Sequence, residues 1–125
     1  MMLRNQWSGK CLQTMGQESA NGSNVNIWEC TNTSNQIWTL TASGELRNQW
    51  SGKCLQTMGQ ENSNGSNVNI WECTHTSNQF WTRTASGEFR NQWSGKCLQT
   101  MGQENSNGSN VNIWDCTSTS NQSWR

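Results

Sequence analysis

Residues 4–18, Arg4-Asn5-Gln6-Trp7-Ser8-Gly9-Lys10-Cys11-Leu12-Gln13-Thr14-Met15-Gly16-Gln17-Glu18, return unchanged from Arg47 and again from Arg90. The step is 43 residues both times, and the cysteine pairs, the Ile-Trp pairs and the Asn-Gln-x-Trp elements keep the same register. A fixed period of this length is the mark of a fold built from copies of one supersecondary unit. Over the part that both contain, the second and third copies differ only at Leu46/Phe89, Glu72/Asp115, His75/Ser118, Phe80/Ser123 and Thr82/Arg125. The expected organisation is one domain over 1–125, with repeats 1–43, 44–86 and 87–125. Three units of this length can close symmetrically.

Inside a repeat the strand signals are short and are broken by Gly, Asn and Ser turns, the pattern of an all-β barrel and not of a helical array. In the second copy they run over Glu45 to Trp50, Lys53 to Met58, Asn67 to Cys73 and Gln79 to Thr84. Ser51-Gly52, the Gly59 to Ser66 loop with its Asn64-Gly65 turn, and Thr74 to Asn78 separate them. Three copies of four predict twelve short strands.

Strand parity then sorts the side chains, because alternate residues face opposite sides of a sheet. Val68 and Ile70 fall on one face and Asn69 and Trp71 on the other, so the apolar pair turns inward and the indole outward. In the last strand Gln79 and Trp81 share a face, with Phe80 opposite, where Ile37 and Ser123 stand in the other copies. A position that accepts Ile, Phe and Ser is read as solvent-facing, and Trp38, Trp81 and Trp124 as core. The glutamine beside each core indole needs backbone partners, since an unpaired buried amide costs about 1–3 kcal/mol.

Composition narrows the partners. Eight basic residues balance eight acidic ones, charged residues make up 13%, and no basic run occurs, which excludes a phosphate-backbone partner. Apolar stretches are too short for membrane insertion. A mean hydropathy of −0.93 would suit a disordered chain if it were Pro-rich or highly charged; instead Pro is absent and nine Trp provide the bulk for a core. The start, Met1-Met2-Leu3-Arg4, has no apolar run of the secretory kind.

The strings SGKCLQT, VNIWEC, NQIW and TASGELR, and above all the Q-x-W elements Gln36-Ile37-Trp38, Gln79-Phe80-Trp81 and Gln122-Ser123-Trp124, resemble the ricin B-type β-trefoil lectins and related xylan-binding modules. The resemblance spans the chain three times. It implies a pseudo-threefold β-trefoil, a six-stranded barrel capped by three hairpins, with a shallow sugar pocket on each lobe and no catalysis. It also implies disulfides Cys11–Cys30, Cys54–Cys73 and Cys97–Cys116, each stabilising by roughly 3 kcal/mol. The residues agree in excluding zinc: partners lie 19 apart, there is no C-x-x-C pair and the chain has one His. No metal or cofactor is expected, and bridges of this kind point to an extracellular or secreted mature chain.

A pyranose has one apolar face and a rim of hydroxyls, so it is gripped by an exposed aromatic plate and short polar groups. Carried over position by position, the plates are Trp28, Trp71 and Trp114, and the neighbouring amides Asn26, Asn69 and Asn112. Asn35, Asn78 and Asn121 reach the same hydroxyls, and Gln36, Gln79 and Gln122 orient the pocket from behind. One departure stands out: where the family's C-L-D pattern has Asp, this chain has Gln13, Gln56 and Gln99. A carboxylate hydrogen bond is worth about 1.5–3 kcal/mol against roughly 0.5–1.5 for a neutral amide, so per-site affinity falls about tenfold or specificity changes. The expectation is a monomer with three equivalent sites for galactose-type or xylose-type glycans, acting multivalently.

The competing reading is an idealised, designed trefoil whose sites bind sugar weakly or not at all; the triple Asp-to-Gln departure and the near-perfect symmetry favour it. A hydrolase would need a positioned base or paired acids, and the sequence offers one unrepeated His and single loop carboxylates at Glu18, Glu61 and Glu104. Trp7, Trp50 and Trp93 are read as hairpin-cap packing, His75 as an exposed loop residue, and the Asn-Gly-Ser triplets at Asn21, Asn64 and Asn107 as turns and not glycan acceptors.

Overall fold

Cys-Leu-Gln-Thr and Val-Asn-Ile-Trp, joined by a polar loop, form an antiparallel hairpin in every repeat: β1 (Cys11–Thr14) with β2 (Val25–Trp28), then β5 (Cys54–Thr57) with β6 (Val68–Trp71), and β9 (Cys97–Thr100) with β10 (Val111–Trp114). The computed structural model describes residues 1–15, 18–58, 61–101 and 104–125. Leu, Val and Ile of these strands are fully buried, as alternation requires. Trp28, Trp71 and Trp114 remain about 40% exposed.

The remaining strands are β3 (Trp38–Leu40), β4 (Leu46–Asn48), β7 (Trp81–Arg83) and β8 (Phe89–Asn91), giving sheets of order β3-β4-β5-β6, β7-β8-β9-β10 and β1-β2. β3 pairs with β4 and β7 with β8. The third such pair is made by the chain ends, where Arg4 and Arg125 exchange two backbone hydrogen bonds, both 2.7 Å. Isolated bridges Met2–Ile37, Arg4–Cys11 and Asn5–Trp124 complete the seam. Ten continuous strands thus appear among the described residues, and the two bridged end segments occupy the places of the other two in an all-β, pseudo-threefold β-trefoil.

Two sequence expectations change in detail. Each strand is shorter than its pattern, and Gln79, expected within the last strand, lies instead in a single 3-10 turn, Ser77–Gln79, matched by Ser34–Gln36 and Ser120–Gln122. The turn aims the glutamine under the neighbouring loop, where its amide meets backbone. Position 37/80/123 is not solvent-facing: Ile37 and Phe80 are half-buried, and Ser123 is 6% exposed, donating its hydroxyl to the Ser86 carbonyl at 2.6 Å.

The core gathers Leu3, Leu46 and Phe89 with Leu12, Leu55, Leu98 and the indoles of Trp38, Trp81 and Trp124. Each of these indoles donates Nε1–H to the carbonyl of Leu12, Leu55 or Leu98 at 2.9–3.0 Å, so burying the ring leaves no orphan donor. The three hairpins meet at the axis, where Asn24 donates to Asn110, Asn110 to Asn67 and Asn67 to Asn24 at 2.8–2.9 Å, a closed ring of amides. No helix among the described residues is long and apolar enough to cross a membrane.

Candidate functional site

The hairpin register builds the site. In β1–β2, Gln13 lies opposite Asn26 and Cys11 opposite Trp28, and the Cys11–Cys30 bridge ties the segment after the indole back to β1. The second and third repeats reproduce both pairings, with bridges Cys54–Cys73 and Cys97–Cys116. All three expected disulfides are therefore present, and they suit an oxidising environment.

Behind each indole lies a network of side-chain amides. Gln13 Nε2 donates to Asn26 Oδ1 at 3.1 Å, while Gln13 Oε1 accepts from Gln36 Nε2 at 3.1 Å and from Asn35 Nδ2 at 3.4 Å. Gln36 is fully buried; its Oε1 accepts from the Thr31 backbone N–H and its Nε2 also donates to the Glu29 carbonyl. Asn35 Nδ2 donates to the Thr14 carbonyl, and Asn35 Oδ1 accepts from the Thr33 hydroxyl at 2.6 Å. The same bonds recur around Gln56, Asn69, Asn78 and Gln79. They recur again around Gln99, Asn112, Asn121 and Gln122.

Parity placed Asn26, Asn69 and Asn112 on the outward face, and they lie there, yet only 5% exposed beneath the facing glutamine. Gln13, Gln56 and Gln99 are 8% exposed. Most of the amide valence of this network is spent within the protein. The groups with hydrogen-bonding capacity left over include Nδ2 of Asn26, Asn69 and Asn112, which has no protein partner among the described residues, the second N–H of Gln13, Gln56 and Gln99 Nε2, and hydroxyls whose protons can rotate.

Two such hydroxyls flank each indole and escaped the sequence reading. In the third repeat a hollow of about 260 Å³ is lined by Gln99, Trp114, Thr117, Thr119 and Asn121. Thr117 and Thr119 Oγ1 lie 2.8 Å apart, as do Thr31 with Thr33 and Thr74 with Thr76. The usable signal was the T-x-T element at constant register, whose middle residue, Asn32, His75 or Ser118, takes a φ of 57–59° and folds both hydroxyls to one side.

Each indole is framed by a different repeat. A Cβ on Gly22 would lie 3.6 Å from Trp71, one on Gly65 3.7 Å from Trp114, and one on Gly108 3.7 Å from Trp28. The adjoining asparagines clamp the same seams: Asn64 Oδ1 accepts the Asp115 backbone N–H at 2.8 Å and Asn64 Nδ2 donates to the Asp115 carboxylate at 3.0 Å. That bond, aided by Lys96 at 3.5 Å, holds the Asp115 carboxyl below its ordinary value near 3.8. Asn21 and Asn107 grip Glu72 and Glu29 alike. These Asn-Gly-Ser segments are inter-repeat clamps as well as turns.

Two hollows away from the indoles, of about 250 and 360 Å³, lie where the third repeat meets the chain ends. The smaller is lined by Ser123, which leaves empty the space that Phe80 and Ile37 fill elsewhere. His75 is exposed as expected but not solitary: its Nδ1 is 3.5 Å from Glu45 Oε2 and its ring lies 6.4 Å from that of Phe80. Trp7 and Trp50 are just over one-third exposed and Trp93 is half-buried.

The model of the ricin-type beta-trefoil lectin domain matches residues 1–124. The chain belongs to that family. Among solved structures, this ricin-type lectin domain is similar to ThreeFoil, a designed threefold-symmetric protein, at 29% identity and a TM-score of 0.93, covering 99% of this chain and 94% of that one. The agglutinin of Abrus precatorius matches at 26% identity and a TM-score of 0.86 over 99% of this chain. A non-toxic homologue of type II ribosome-inactivating proteins from Momordica charantia, solved with α-methyl-D-galactoside, matches at 29% identity and a TM-score of 0.85 over 99%. The lectin domain spans 46% and 45% of those two plant chains. No curated protein matches the sequence. Family membership supports a carbohydrate-binding role.

Proposed function

We propose that this lectin domain binds glycans without chemical transformation, through three equivalent shallow sites whose plates are Trp28, Trp71 and Trp114. The observation that carries this reading is the hollow at Trp114, where an exposed indole, two threonine hydroxyls and two amides converge. The indole takes the apolar face of a pyranose; Asn112 Nδ2 and the hydroxyls of Thr117 and Thr119 take its rim, while Gln99, Asn121 and Gln122 hold that edge in place. Galactosides are the favoured class, supported by the Momordica relative solved with α-methyl-D-galactoside. Three such sites on one rigid monomer engage a branched glycan by effective concentration, so an individually weak contact suffices.

Titration of Trp fluorescence with methyl galactoside and lactose tests this. Saturable change is expected, lost when Trp28, Trp71 and Trp114 are all replaced by Ala while near-UV circular dichroism stays folded. A triple variant that binds normally overturns the assignment of the plates. One observation favours a second reading, a symmetric scaffold with little or no sugar affinity: both ends of the Gln13, Gln56 and Gln99 amides are already engaged internally. A flat titration to high millimolar sugar, xylose included, would favour the scaffold.

A further inference from the structure

Glu88 is a buried acid without a counter-charge. It is 7% exposed; its Oε1 accepts from the Thr84 and Ser86 hydroxyls at 3.4 Å and its Oε2 from the Ser118 backbone N–H at 3.0 Å. It forms no ion pair among the described residues. A buried carboxylate held only by neutral donors gains from a cation brought to it. Glu88 lines the hollow of about 250 Å³ beside Ser123. Pockets for drug-sized molecules run to about 300–1,000 Å³, so this space suits a ligand of amino-acid size.

The second repeat shows which groups the hollow has lost. Gln6, Ser86, Glu88, Thr119 and Ser120 have identical counterparts there in Gln92, Ser43, Glu45, Thr76 and Ser77. The glutamines are equivalent in space as well, since Gln6 donates its backbone N–H to the Ser123 carbonyl and Gln92 to that of Phe80, both at 2.8 Å. The lining residues that differ are Ser118, Ser123 and Arg125, where the second repeat has His75, Phe80 and Thr82. In that repeat the Phe80 ring is half-buried in the same polar setting, 6.4 Å from the ring of His75, and His75 Nδ1 lies 3.5 Å from Glu45 Oε2. A benzyl group and a basic nitrogen therefore cover the buried acid in one copy, and both are missing from the other. The Ser123 hydroxyl is turned to the Ser86 carbonyl, which leaves the space open. Arg125 adds a guanidinium on the exposed side, where its Nη2 donates to Gln6 Oε1 at 3.4 Å.

We propose that this hollow is a binding site for an aromatic α-amino acid. The aryl ring takes the place that Phe80 fills in the second repeat. The ammonium faces Glu88 as the His75 nitrogen faces Glu45, and the carboxylate meets the Arg125 guanidinium. The paired charges of the ligand's head answer both charges of the lining, which a simple aromatic amine or acid does not. Ser118 and Ser120 offer hydroxyls that can accept the remaining ammonium protons. Neither sister repeat offers the same space: Met2 and Ile37 replace Glu88 and Ser123 in the first, and Phe80 fills it in the second. The site stands apart from the indole plates, and it does not rest on the sugar reading.

The test titrates the isotope-labelled full chain with L-phenylalanine and follows backbone amides by NMR. Saturable shifts are expected at Glu88, Ser118 and Ser123, with one site per chain and the millimolar affinity usual for so small a ligand. Phenethylamine, which lacks the carboxylate, and phenylpropionate, which lacks the ammonium, should each bind about tenfold more weakly. Arg125→Ala should bring phenylalanine down to the level of phenethylamine. Ser123→Phe, whose own ring occupies the hollow, should abolish the shifts, and Ser118→His, which restores the imidazole, should weaken binding about tenfold. Wild-type affinity in both Ser123→Phe and Ser118→His overturns the site. So does phenylpropionate binding as tightly as phenylalanine, or the absence of shifts at Ser118 and Ser123 up to the solubility limit of phenylalanine.

Discussion

Gln36 Nε2 donates to Gln13 Oε1 at 3.1 Å, and the same bond joins Gln79 to Gln56 and Gln122 to Gln99. The residue that departs from the lectin pattern is therefore built into the wall of the pocket it would serve. Replacing Gln13, Gln56 and Gln99 together by Asp keeps an acceptor on the side of Gln36, Gln79 and Gln122. It also offers carboxylates to a bound sugar. Per-site affinity should rise about tenfold, the difference between charge-assisted and neutral hydrogen bonds. Calorimetric titration with a galactoside checks this, and unchanged or weaker binding would count against the pocket as drawn.

Ser123 marks the weak point of the symmetry. Ser123→Phe copies the second repeat, filling the hollow beside Glu88 and Arg125 with a half-buried ring. The lost bond to the Ser86 carbonyl offsets part of the gain, leaving a net stabilisation of about 1 kcal/mol. Guanidinium unfolding should show a higher midpoint with an unchanged slope; a lower midpoint would mean that the ring does not fit.

The axial amide ring predicts a penalty out of proportion to its exposure. Asn67→Ala removes the donor to Asn24 and the acceptor of Asn110, leaving two half-buried amides short of a partner. The expected cost is about 1–3 kcal/mol, and Asn24→Ala should match it because the three positions are equivalent. Denaturant curves of the two single variants provide the comparison.

Asp115 gives the inter-repeat clamp a pH dependence. Its carboxyl titrates below its ordinary value because the folded chain donates Asn64 Nδ2 to the ionised form, with Lys96 adding attraction. A lowered folded value means that this contribution is present in full above the ordinary value of 3.8 and fades as pH falls through the folded one. The Asp115 carboxyl resonance should therefore titrate below 3.8, and Asn64→Ala should move its midpoint upward. An unmoved midpoint would separate the clamp from the titration.

Much of this architecture was legible in the residues. The period showed three copies of one short-stranded unit, the resemblance to ricin B-type lectins named the trefoil, and parity exposed Trp71 while burying Val68, Ile70 and Trp81. The requirement that a buried amide be paired foretold the backbone partners of Gln79, met at the Thr74 N–H and the Glu72 carbonyl. Parity was less informative at Ser123: it gives a face but not whether another segment covers that face, and Ser86 with the chain ends does so. It likewise missed Thr117 and Thr119, because the backward turn that gathers them depends on a positive φ at Ser118, where the sequence has no glycine to signal it. Contacts such as Asn64 with Asp115 join residues of different repeats, and a period shared by all three cannot say which copy meets which.

Gly22 lies against Trp71, Gly65 against Trp114 and Gly108 against Trp28, so every proposed sugar surface is borrowed in part from a neighbour. An excised 43-residue unit would lack one wall of its own pocket, and damage to one Asn-Gly turn would be felt at the next repeat's site. If the proposed sites bind sugar, that recognition is a property of the closed triad, acquired only when the third copy is in place.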